Sequence, residues 1–350
     1  MSSWSGARNR FVLAAWLCGL ALVPAAGRGA PPAAAKPTTV IKLGTLAPKD
    51  SSFHKILAAM GSEWERTPGG AQLRIYPGGA AGGEADMVSK MKIGQLNAAL
   101  LTANGLAEID RAVQSLQSVP MLFRSLDEVR YVTEKMRPQL DKRLRDKGFV
   151  VLFWGDTGWV RFFSKAPLRE PDDLKKMKIF TWSGDSSVFD IYQSAGFHPV
   201  SLETNDILPM LGTGMITAVP APPYVALTNQ IYTSAPNMLD LAWAPLVGAL
   251  VVTESSWKKL SPAAQAAMAK AAADAGVRMT EQNHRESDAA VEAMKKRNLT
   301  VYKPTPDGEA RWRKAAEATY PQIRGRVVPA DFFDEVTKLL AGYRASKTPR

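Results

Sequence analysis

Reactive side chains are scarce in this chain, which holds one cysteine and three histidines in 350 residues. The cysteine, Cys18, lies in the middle of an apolar run that reads as removable, so a mature form would keep none. That excludes disulfides, thiolate metal sites and a cysteine nucleophile. His54, His198 and His284 fall in separate elements without ligand spacing, and neither a G-x-S-x-G elbow nor an H-E-x-x-H pair occurs. Each histidine reads as a surface or structurally satisfied side chain. The carboxylate pair Asp172–Asp173 precedes a helix, where it favours the N-terminal dipole. No catalytic residue, metal or cofactor is expected.

The long apolar run is Phe11 to Ala26, preceded by Arg8 and Arg10 and broken at Pro24 into small residues. A basic start, a run of this length and an Ala/Gly-rich end are the signature of a secretory signal peptide, too short and too poorly flanked for a stable span. Residues 1–30 are assigned to it, with cleavage between Ala26 and Ala35, and 31–38 to a disordered leader. Ala15, Trp16 and Leu17 fit a lipid-attachment site at Cys18 poorly.

A concentrated basic stripe is also lacking. The formal charge of +11 falls when Arg8, Arg10 and Arg28 leave, giving 41 basic against 33 acidic residues. The basic residues are scattered on helix faces, as in Lys142, Arg143, Arg145 and Lys147, which argues for solubility and against nucleic-acid binding.

What is present is an alternation of strands and helices, the pattern of an α/β layer architecture. Val40 to Leu46 reads as a strand, and Ser51 caps a helix running to about Arg66. Gln72 to Tyr76 is a second strand. The turn Pro77–Gly83 leads into the helix Glu84 to Ile93; it has neither the spacing nor the Lys-Ser/Thr pair of a phosphate cradle. Leu96 to Thr102, Phe149 to Gly155 and Gly248 to Thr253 read as strands, and Leu126 to Lys147 as a helix. The stretch Asp172 to Pro223 alternates strand, helix, strand, helix, strand, and such a unit holds ligands at its strand ends. Ser261 and Pro262 open an Ala-rich helix to about Arg297, and some 35 residues at 1.5 Å each reach about 50 Å, wider than one lobe. Asn298 to Tyr302 reads as a weak strand, Asp307 to Gln322 and Ala330 to Tyr343 as helices, and 344–350 as a frayed tail.

The blocks LGTLAPKDSSFHK, IYPGGAAGGEADMVSKMKIGQLNAALL, SVPMLF, DDLKKMKIFTW and LPMLGTGMITAV, in this order over residues 40 to 330, resemble the solute-binding subunit of tripartite ATP-independent periplasmic (TRAP) transporters of the dicarboxylate-receptor type. The resemblance implies an α/β fold of two lobes joined by crossing strands, with one long helix along both and a ligand held between them. It puts the protein in the periplasm and implies integral membrane subunits as partners, with a helical-repeat periplasmic partner in some systems. Lobe I is drawn as 39–155 and 245–280, lobe II as 156–244 and 281–343.

In that family an arginine at the end of the strand Met177-Lys178-Ile179-Phe180 grips a ligand carboxylate. Here Phe180 occupies its place. A second arginine would fall near Trp159 or Val160; Arg161 is one residue away, which on a strand means the opposite face. The polar lining expected after the Gly-x-x pattern is replaced by Thr217 to Pro223. Against these losses stand Trp154, Trp159, Phe180, Trp182, Tyr224 and Trp243, which with Asn104 and Arg161 make up the candidate ligand-binding set. The expected function is a receptor for a hydrophobic or amphipathic small molecule. The alternatives are a carboxylate receptor with a displaced arginine, a cleft enzyme acting on an apolar substrate, and a scaffold whose cleft is filled.

Overall fold

The computed structural model describes residues 39–183 and 186–347, so the segments read as signal peptide (1–30, with Cys18) and leader (31–38), together with the last three residues, lie outside the described residues. The first part of the chain runs β1 (Thr39–Thr45), α1 (Ser52–Arg66), β2 (Ala71–Tyr76), α2 (Glu84–Lys92), β3 (Ala98–Thr102), α3 (Ala103–Ala107), a 3-10 turn Arg111–Leu116 and α4 (Leu126–Asp146). β4 (Phe149–Ser164) then crosses to α5 (Pro171–Leu174), β5 (Lys178–Trp182), α6 (Ser186–Ser194), β6 (His198–Leu202), α7 (Ile207–Thr213), β7 (Ala218–Ala221) and α8 (Pro223–Thr228). β8 (Asn237–Thr253) returns, followed by α9 (Glu254–Trp257), α10 (Pro262–Lys295), β9 (Thr300–Tyr302), α11 (Pro306–Glu317), α12 (Tyr320–Arg326) and α13 (Ala330–Lys347).

The nine strands of the described residues belong to one sheet in the order β2-β1-β3-β8-β4-β7-β5-β6, with β9 also on β8. β1, β2 and β3 pair in parallel, as do β5, β6 and β7, while β4 and β8 run antiparallel to each other through both halves. These crossing strands are far longer than the apolar stretches 149–155 and 248–253 expected from sequence. Gly155 and Gly158 in one, and Pro245 and Gly248 in the other, look like strand ends. In the fold they mark an irregularity instead: the register shifts between Asp156 and Trp159, Gly158 takes φ +75°, and Trp159 stands opposite Pro245, which has no N–H to give the ladder. The bulge is tied to α10, where His284 Nε2 lies 2.8 Å from Asp156 Oδ1.

Ser261 accepts a hydrogen bond from the Ala264 N–H and starts α10, whose 34 residues span about 50 Å. Near its start Met268, Ala272 and Met279 pack with Leu57, Trp64 and Leu250; near its end Ala290 and Met294 pack with Leu211, Val219 and Met238. One helix therefore covers the sheet in both halves. Gly276 sits at its closest approach to the sheet, where a Cβ would stand 2.6 Å from the Phe153 ring. On the other side of the first half, α2 and α4 cover the sheet; on the other side of the second half, Trp312 of α11 stacks on Phe162.

The C-terminal region departs from the sequence reading. α11 stops at Glu317, and α12 is a separate turn bent at Arg324 and Gly325. Phe332, Val336 and Leu340 of α13 pack with Val132, Met136 and Leu140 of α4, on the first half of the molecule. Arg344 is not part of a frayed tail: its Nε and Nη2 donate to both oxygens of Glu128 (2.7 and 2.8 Å), and Nη2 also donates to the Leu122 carbonyl (2.7 Å). A buried carboxylate with a guanidinium in reach is reason enough for the helix to continue through it.

Candidate ligand-binding site

The C-terminal end of β5 faces the first half of the molecule, and three cavities adjoin there. An apolar one of about 120 Å³ is walled by Val160, Val188, Ile191, Trp243, Leu246 and Ile323. A polar one of about 290 Å³ is lined by Glu84, Asn104, Arg111, Gln114, Ser187 and Glu203. A third, of about 160 Å³, lies among Phe53, Phe153, Tyr224, Val247 and Met279. Trp182 lines all three, Asn104 the first two, and Glu84 the second and third. Trp182 therefore acts as the partition between compartments of one cleft, its ring edge-on to Phe180 at 4.9 Å.

Of the eight candidate residues, Asn104, Phe180, Trp182, Tyr224 and Trp243 line these cavities. Phe180 does so from the core: it is 1% exposed and packs with Leu211, Val219 and Ile207. Trp243 is tilted against Phe162 and edge-on to Trp312. The Tyr224 hydroxyl lies 2.8 Å from Ser52 Oγ, which donates to Glu286 of α10 (2.7 Å), so it joins the two halves.

Trp154, Trp159 and Arg161 do not line the cavities. Trp154 Nε1 donates to Asp141 of α4 (2.7 Å), and Trp159 packs against the same helix-covered cluster. Arg161 Nε stands 2.7 Å from Asp240 Oδ1 as an ion pair with its strand neighbour. All three lie on β4 around the bulge, where three shifts of register make side-chain direction unreadable from alternation alone.

Sequence reasoning placed Glu84 only as a helix start. In the fold its carboxylate is 8% exposed and accepts hydrogen bonds from Thr102 N (2.7 Å), Thr102 Oγ1 (2.6 Å) and Gly105 N (2.9 Å). Burial lifts its pKa above the usual carboxylate range, the donors pull against that, and the charge of Glu203 adds to the rise. Gly105 is required here because a Cβ would stand 2.7 Å from the Glu84 side chain. A glycine just after a strand end was the only signal that a side chain packs there.

Glu203 and Asn205, which follow β6, reach the glycine-rich turn of the first half. A Cβ on Gly83 would stand 2.2 Å from Glu203 Oε2, and one on Gly79 2.6 Å from Asn205 Nδ2. The Ser183 hydroxyl donates to the Glu203 carboxylate. The turn that lacks a phosphate cradle is thus the surface on which the second half rests.

Comparison with known proteins agrees with this geometry. The family model for bacterial extracellular solute-binding proteins, family 7 (DctP), matches residues 43–325. The 2,3-diketo-L-gulonate-binding periplasmic protein YiaO of Escherichia coli is 26% identical over 242 residues, 68% of this chain and 72% of that protein. The C4-dicarboxylate-binding periplasmic protein DctP of Rhodobacter capsulatus is 23% identical over 303 residues, 85% of this chain and 89% of that one. A TRAP periplasmic solute-binding protein of Ralstonia eutropha H16, solved with (S)-2-acetolactate, superimposes with a TM-score of 0.80 at 20% identity, covering 87% of this chain and 99% of that one. A second from Shewanella oneidensis, solved with succinate, gives 0.80 at 15% identity, covering 86% and 99%. The chain belongs to the DctP family, family 7 of the bacterial extracellular solute-binding proteins, the family that its residue blocks resemble.

Proposed function

We propose that this protein captures a hydrophobic or amphipathic small molecule at the Trp182 partition and delivers it to integral membrane subunits. The observation that carries the reading is the apolar cavity, which has no acidic or basic lining residue among the described residues, at a strand end where Phe180 replaces the family's arginine. A carboxylate placed there would lose its hydration without gaining a counter-ion. Binding works as a population shift: a ligand touching both halves favours the closed arrangement that the membrane subunits, and a helical-repeat partner where one serves, would recognise. Family membership makes the protein a receptor rather than a cleft enzyme. We divide the lobes as 39–155, 245–280 and 330–347 against 156–244 and 281–319, because α13 packs on α4 of the first half, while α12 connects the two and also bonds to α6 through Arg326 and Gln322.

One observation favours a second reading, a carboxylate ligand with a displaced anchor. Arg111 is the only basic residue lining the cavities among the described residues; it has no ion pair there and makes a 3.4 Å hydrogen bond to the Val327 carbonyl. Glu84, Glu108 and Glu203 line the same compartment and oppose an anion. Thermal melting decides between the readings. Succinate and a uronate are expected to leave the melting temperature of ligand-free protein unchanged; a rise of several degrees that Arg111→Ala abolishes would establish the second reading instead.

A further inference from the structure

The wall of the apolar cavity contains a hydroxyl with nothing to bond. Thr181 lies on β5 between Phe180 and Trp182, is 3% exposed, and its Oγ1 has no hydrogen-bond partner. Strand alternation puts its side chain on the face of Ile179, which packs with Phe197 and Trp312 around the cavity, and away from Phe180, which packs on the opposite face with Leu211 and Val219. Buried hydroxyls in folded proteins are nearly always paired, and an orphan is destabilising.

Two neighbouring polar side chains of the lining are committed. Gln117 Oε1 accepts from the Val247 N–H (2.9 Å) while its Nε2 reaches Asn104 Oδ1 (3.5 Å). Thr319 Oγ1 donates to the Ala316 carbonyl (2.6 Å). Among the described residues that line this cavity, Thr181 alone has a fully buried side-chain polar atom without a partner, which leaves its hydroxyl as both a donor and an acceptor for a ligand.

We propose that the cavity receives a compact neutral ring bearing one oxygen, a phenol or cyclic ketone or alcohol, whose oxygen pairs with Thr181 Oγ1. The volume of about 120 Å³ suits a single ring, since an engineered apolar cavity of about 150 Å³ admits benzene. More polar parts of such a ligand extend past Asn104 and Trp182 into the neighbouring compartment, which both residues also line. Thr181 is then the specificity-determining residue: a site with a buried hydroxyl rejects an analogue that leaves it unpaired, whereas an apolar wall alone scarcely discriminates. The inference rests on the apolar-ligand reading above.

The test uses phenol, toluene and benzoate, each titrated into the mature protein and followed by ligand-observed NMR. Phenol is expected to bind about tenfold tighter than toluene, and benzoate not at all. Thr181→Val, of the same shape, brings phenol to the affinity of toluene; Thr181→Ser keeps the preference; Ala315→Phe, which fills the cavity from α11, removes both. Equal phenol binding by wild type and Thr181→Val overturns the role of the hydroxyl while leaving the apolar cavity in place. A phenol preference that survives Ala315→Phe puts the ring elsewhere and overturns it too. Failure of wild type to bind either phenol or toluene overturns the apolar-ligand reading and this inference with it.

Discussion

Phe180 illustrates what a single position can and cannot say. The resemblance implies that it stands in the place of a carboxylate anchor, but its burial among Leu211 and Val219 makes it a core residue that borders the cleft rather than a free contact. Trp182, two residues on and half-buried, has the freer surface and touches every compartment. Arg161 was expected either to reach the cleft or to face away, and its pairing with Asp240 takes it out of the lining. The Arg344–Glu128 pair was invisible in sequence because its partners are 216 positions apart. It makes a prediction at this scale. Glu128 is 4% exposed, so Arg344→Ala leaves its carboxylate buried with less compensation and should cost about 2–3 kcal/mol, toward the low end for a broken buried pair because Arg344 itself is partly solvated. The arginine and the backbone donor outweigh burial and hold the Glu128 pKa below its ordinary 4.5. That stabilisation is present above 4.5 and is lost as pH falls through the folded-state value. Urea unfolding at neutral pH should therefore separate variant and wild type clearly, and the gap should narrow in acid.

Among elements, those with local signals were legible and those shaped by distant partners were not. Ser51 and Ser261 cap α1 and α10 as their positions in the sequence indicate, and the Ala-rich pattern carried the length of α10 because a helix repeats every turn. The crossing strands were cut short because glycine and proline end most strands, and only pairing with a partner shows that a bulge carries them on. Reading β4 as ending at Gly155 also put Trp154 and Trp159 at a strand end facing the cleft, whereas the strand runs on through both. The turn Pro77–Gly83 was legible as a turn, but its glycines answer to Glu203 and Asn205 more than 100 positions away. Gly83 has an ordinary φ of −67°, so a side chain there strains no backbone. Gly83→Phe should hold the halves apart: stability changes by at most about 1 kcal/mol, the order of a lost cap, while ligand retained through gentle purification drops at least severalfold. Wild-type retention in this variant would show that the turn is not a closing surface.

At the scale of the molecule, one sheet and one helix run through both halves, and the closure proposed above would be absorbed where β4 and β8 shift register beneath α10. The fold was legible because it is distributed over the residue blocks from 43 to 325 that define the family. The ligand was not, because it depends on which side chains meet across the cleft. Neighbours in structure were solved with bound succinate and acetolactate; this chain shares their fold, and an apolar compartment stands beside the strand end that carries Phe180. Native mass spectrometry of gently purified protein tests that contrast most directly. The account expects a co-purified neutral or amphipathic molecule with an apolar ring, lost from the Ala315→Phe variant; a small polyanion such as a C4-dicarboxylate, retained by that variant, would contradict it.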